Sequence, residues 1–184
     1  MKFLFVLFVT IWQFQLWECS FDAAVAAGNA EVTVTAIYPC EGVDPIAYSE
    51  IDFKEDENEK WLEFMLQTDT PIDSTFNSNL IVDQWQNGAW EENIYNTDGN
   101  MCEIRDKFAA DAWKKLVEVT EPTTDPEGCN LQPGTYTCKK FQVESSDINI
   151  PSVLFGTFRV KMEVYNGENE LFFCTMVELE CDQK

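Results

Sequence analysis

From Phe158 to Val164 the chain alternates strictly: Phe158, Val160, Met162 and Val164 take one side of an extended backbone, and Arg159, Lys161 and Glu163 take the other. Only a strand turns successive side chains to opposite faces, so this period of two describes a half-buried β-strand and no helix. Asn166-Gly167 follows as a tight-turn signal, and Leu171–Cys181 returns as the second arm of a hairpin. The same alternation runs through Val32–Tyr38, Tyr48–Phe53, Lys60–Thr68, Leu80–Trp85, Ala89–Tyr95 and Thr135–Val143, each bounded by Pro, Gly, Asn or Asp. Strands with one apolar face must bury it against another layer, which predicts two packed sheets.

One segment departs from this period. Met101, Ile104, Phe108, Ala112, Leu116 and Val119 share one face of a 3.6-residue repeat, predicting a single helix over Met101–Val119. Asn100 or Asp98 caps its start, and Thr120-Glu121-Pro122 ends it. Such a helix either covers one side of the sandwich or engages a membrane through Trp113, Lys114 and Lys115.

The chain has 184 residues, enough for one domain and cramped for two. Lys2 followed by the apolar run Phe3–Ile11 reads as a signal peptide. We expect residues 1–19 to be removed and residues 20–184 to form a single domain, with later cleavage options at Ala24–Ala27. Gln13 and Gln15 interrupt the run well short of the roughly 20 residues a spanning helix needs. The polar tail Glu180–Lys184 argues against a lipid anchor there. Cleavage would remove Lys2 and Glu18, leaving the net charge of −21 unchanged. That field repels phosphate backbones and excludes nucleic acid as a partner, and it also disfavours firm docking on anionic membranes.

Of seven cysteines, six remain after cleavage, and an even count in an exported chain predicts three disulfides among Cys40, Cys102, Cys129, Cys138, Cys174 and Cys181. Cys174 and Cys181 stand on one strand about 23 Å apart at ~3.3 Å per residue, too far to bridge. Their odd separation puts them on opposite faces and demands different partners. Zinc is disfavoured, since no cysteine pair has knuckle spacing and the chain holds no His.

The absence of His also removes a Ser-His-Asp triad, a Cys-His pair and any His-based metal site. No glycine-rich phosphate loop appears, so no cofactor is expected. Paired carboxylates acting on glycosides remain a second class of hypothesis. Large apolar residues are in surplus, among them Trp61, Phe64, Leu66, Trp85, Trp90, Phe108, Phe158 and Phe173. A closed core and an apolar cavity both account for them. The segment Asp147–Gly156 carries Pro and Gly like a loop, yet holds Ile148, Ile150, Val153, Leu154 and Phe155. It reads either as a lip that meets lipid or as a plug over the core.

Cys40-Glu41-Gly42-Val43-Asp44-Pro45, Cys102 at a helix start, Cys129 before Pro133-Gly134-Thr135-Tyr136, Ile150-Pro151, Gly156-Thr157-Phe158-Arg159-Val160 and Cys174 form an ordered series. From Cys40 to Glu180 it resembles the ganglioside-activator branch of the ML lipid-recognition domains, and a set of arthropod proteins on the same pattern. The resemblance implies an all-β, immunoglobulin-like two-sheet sandwich with one helix, splayed into a hydrophobic lipid-binding cup without a catalytic site. It implies bridges Cys40–Cys174 and Cys102–Cys129, which leaves Cys138 with Cys181, and a membrane-contacting loop over Ile148–Phe155.

The expected function is that of a secreted carrier, extracellular or in the lysosomal lumen. It would bring lipid or glycolipid from a transiently contacted membrane to a hydrolase or receptor. A carrier of small hydrophobic chemosensory cues is the variant reading. The sequence departs from the activator in lacking a fourth disulfide near the helix and in its acidity.

Overall fold

The computed structural model describes residues 30–57, 59–142, 144–148 and 155–183. The expected signal peptide and Ile150, Val153 and Leu154 lie outside the described residues. In chain order the elements are β1 (Ala30–Pro39), β2 (Tyr48–Glu55), β3 (Lys60–Thr68), β4 (Asn77–Gln86) and β5 (Ala89–Asn100). Then come α1 (Met101–Phe108), α2 (Ala110–Glu118), β6 (Thr120–Glu121), β7 (Gly134–Phe141), a 3₁₀ turn (Ser145–Asp147), β8 (Gly156–Tyr165) and β9 (Leu171–Gln183).

The strands form two antiparallel sheets, β1-β9-β8-β4-β5 and β2-β3-β7-β6, the two-layer all-β architecture that the alternation predicts. No helix among the described residues is long and apolar enough to cross a membrane.

The hairpin of β8 and β9 pairs Phe158 with Leu179 and Val160 with Val177, keeping the alternating apolar residues on one face. Its connection is longer than the expected two-residue turn. Asn166 Oδ1 accepts the backbone N–H groups of Glu168 and Glu170, and the positive φ of 62° falls on Asn169. An asparagine side chain that satisfies two loop amides stabilises the wider turn. Gly167 serves by its size instead, since a Cβ there would come within 3.0 Å of Thr75 Oγ1.

The expected single helix is broken at Ala109, whose φ of −148° lies outside the helical range. The expected apolar stripe survives the break except at its end. Met101, Ile104, Phe108, Ala112 and Leu116 turn inward as expected, joined by Trp113 and Val117, while Val119 is 45% exposed. Val119 leaves the stripe because α2 ends at Glu118, one residue before it. Asn100 caps α1, its Oδ1 accepting the Cys102 N–H at 3.0 Å. The strand expected over Thr135–Val143 ends at Phe141.

Two of the three expected bridges are present, Cys40–Cys174 and Cys102–Cys129. In place of the third, Cys138 and Cys181 are buried thiols. Cys138 lies opposite Phe64 in the second sheet, and Cys181 opposite Val32 in the first. Burial pushes both thiols above their ordinary pKa.

Candidate functional site

The interior is packed at two places and open between them. Ala47, Ile72, Phe76, Leu131, Tyr136, Val164 and Phe172 form one buried cluster; Val34, Phe158, Leu179 and Cys181 form another. On β8 and β9 these clusters occupy opposite ends of the hairpin. The inward residues between them, Val160, Met162 and Val177, are only half-buried although they point away from solvent. Leu62, Phe64 and Leu66 of β3 behave the same way. Inward side chains in a closed core would be fully covered. These face a void.

The void is a cavity of about 530 Å³, within the range of small-molecule sites. The first sheet lines it with Leu80 and Val82 of β4, Val160 and Met162 of β8, and Val177 of β9; the second adds Ile51, Leu62, Phe64 and Leu66. Helices α1 and α2 close one side through Ile104, Phe108, Ala112, Trp113 and Leu116. Of the two sequence readings of the apolar surplus, the cavity is the one the fold realises.

Of the expected lipid-contacting residues, Phe64, Leu66, Phe108, Ile148, Phe158 and Phe173 line this cavity. Four do not. Trp61 lies three positions from Phe64 and so on the opposite face of β3, where its Nε1–H donates to Glu63 and Lys140 covers its ring. Trp85 and Trp90 pair across the β4–β5 hairpin on the outer face, rings 5.3 Å apart, with Arg159 over Trp90. Trp85 is 46% exposed and Phe155 40%. Grouping these four by apolarity alone ignores strand parity, which assigns the tryptophans outward. The same parity would have found Val34, Val82, Val160, Met162 and Val177, all on the cavity wall.

The wall is nearly without charge. Among the described residues lining it, none is Asp or Glu, so a carboxylate pair has no place there. No group of His, Cys, Asp and Glu among the described residues is arranged to hold a metal.

Among the described residues Arg105 is the one charged residue on the wall, and its nitrogens are engaged. Its Nη1 donates to Gly128 O at 2.6 Å, its Nε to Asp106 Oδ1 at 2.8 Å, and its guanidinium lies 5.4 Å from the Trp113 ring centroid. The Trp113 Nε1–H is buried with no acceptor among the described residues. Ile148 is held at the wall through its neighbour: Asp147 accepts from Lys115 Nζ of α2 at 2.9 Å and from the Glu144 N–H at 3.0 Å.

Fold and cavity together define a two-sheet β-sandwich built around an internal apolar chamber. No family model and no curated protein sequence matches the chain. Among solved structures it is similar to chicken MD-1 complexed with lipid IVa, at 10% identity over 84% of this chain and 91% of that one, with a TM-score of 0.33.

Proposed function

We propose that this protein is an exported, non-catalytic lipid carrier of the ML type. The observation that carries the proposal is the apolar cavity between the sheets, whose inward residues are left half-covered. Cavities lined by aliphatic and aromatic side chains stay dry and favour apolar guests. Each methylene moved from water into this one contributes about 0.8 kcal/mol, so a single alkyl chain suffices for useful affinity. The ordered motif series from Cys40 to Cys174 supports the ML assignment. Two disulfides support an oxidising, exported setting.

The finer reading is delivery. Lipid is taken up during transient contact with a membrane and released to a partner protein. Trp85 and Phe155 support it as exposed aromatic residues brought together by the Gln84 hydrogen bond to Phe155 O, with the half-buried Trp90 packed against Trp85; indole rings favour the membrane–water interface.

Native mass spectrometry of the secreted protein tests the central reading. A co-purifying lipid, or uptake of fatty acid, phospholipid or glycolipid, is the expected result. A protein that is strictly ligand-free and takes up none of these overturns it.

A further inference from the structure

We infer that the cavity selects a neutral long-chain ligand over an anionic one of the same length, and that Asp106 enforces the choice by neutralising Arg105. The inference rests on the carrier reading and goes on to name the chemical class of ligand. An amphiphile with an anionic head has two options in a cavity of this kind. Its head can enter with the chain, or it can stay in solvent at the protein surface.

Entry requires a cation free to pair, because an ionised carboxylate moved into an apolar site without a partner is strongly disfavoured. Among the described residues Arg105 is the single cation on the wall, and its charge is already paired. The Asp106 carboxylate stands 2.6 Å from it, another donor is spent on Gly128 O, and its ring-facing side lies over Trp113. Its side chain is only 13% exposed, and an entering anion would find its charge already offset by Asp106.

The neighbouring lysines of α2 are no more available. Lys114 holds Glu127 at 3.1 Å, and Lys115 holds Glu144 and Asp147 at 2.8 Å each. A head left in solvent meets the field of a chain with net charge −21, which opposes an anion. Both routes penalise the anion. A neutral head suffers neither cost, and the apolar wall takes its chain equally well.

Asp106 is exposed and sits in the last turn of α1, so its replacement by Asn leaves the fold intact while removing the carboxylate charge that offsets Arg105. The experiment displaces the neutral fluorophore N-phenyl-1-naphthylamine from the full secreted protein with methyl laurate or with laurate, at about pH 8 where laurate is ionised. We expect methyl laurate to bind at least about tenfold more tightly than laurate. In Asp106→Asn, laurate should gain while methyl laurate is unchanged, narrowing the ratio to about threefold or less.

Laurate binding as tightly as the ester in the unaltered protein overturns the inference. An unchanged ratio in Asp106→Asn, with the thermal midpoint unmoved, overturns the role given to Asp106. If the fluorophore binds and neither laurate nor its ester displaces it, selection by head charge is wrong. If the fluorophore itself does not bind and no lipid co-purifies, the carrier reading fails instead.

Discussion

Phe76 and Phe172 meet edge to face with ring centroids 5.0 Å apart, and both are almost wholly enclosed. Phe76→Ala should therefore cost about 3–5 kcal/mol, read as a lowered urea midpoint. Val160 is equally apolar and equally inward, yet faces empty space. Val160→Trp fills part of the void without forcing neighbours apart, so unfolding should shift by no more than about 1 kcal/mol. Displaceable probe fluorescence should fall by at least about tenfold.

Tyr38 illustrates a different residue-level effect. Burial and its hydrogen bond to Glu178 push its hydroxyl from 10.0 up to about 12. The protonated form is the one bonded in the fold, so its contribution is complete below the unfolded value and lost as pH rises towards about 12. Tyr48 and Tyr165 are also raised by their glutamate partners and burial, so ultraviolet titration should show a phase approaching about 12 that is lost in Tyr38→Phe.

At the level of elements, the sheet pattern was readable wherever alternation is strict, because parity is a local property of extended backbone. The break in the helix was not. Nothing in Phe108-Ala109-Ala110 marks it, and α1 and α2 are each tied down by contacts distant in the chain. Cys102–Cys129 and Arg105 hold α1; Lys115 holds α2 to the 3₁₀ turn.

Lys115→Met should release Ile148 from the wall and speed ligand exchange at least about threefold in a stopped-flow assay, and it should also lower the urea midpoint, since it leaves the buried Asp147 carboxylate without its cation.

The outer face of the first sheet carries its own acid sensitivity. Burial by itself would raise the Glu163 carboxyl, but bonds from Lys161, Tyr165 and Asn79 and the Lys161 charge hold it below the usual range. The ionised form is the one the fold favours. Its stabilisation is present above the usual carboxylate value and lost as pH falls through the depressed one, a loss that Glu163→Gln should remove from the acid-unfolding profile.

Across the whole molecule, Cys40–Cys174 closes a loop of 134 residues and Cys102–Cys129 one of 27. By chain entropy these stabilise by about 5 and about 3.5 kcal/mol, so loss of the first should be the more damaging. Mass mapping after alkylation should find Cys138 and Cys181 unmodified in the native protein and labelled once it is unfolded. A Cys138–Cys181 bridge in that map would instead restore the third disulfide expected from the sequence.

The sequence alone determined which residues are extended, which faces of each strand are apolar, that the chain is strongly acidic, and that His-dependent chemistry is absent. Each of these depends on composition or on neighbours a few positions away. The tertiary structure decided whether the apolar surplus closes into a core or leaves a chamber, which cysteines come within bonding reach, and how Arg105 is occupied. Those outcomes depend on the distance between two sheets and on contacts such as Arg105 with Gly128, made by residues far apart in the chain. No local pattern encodes them.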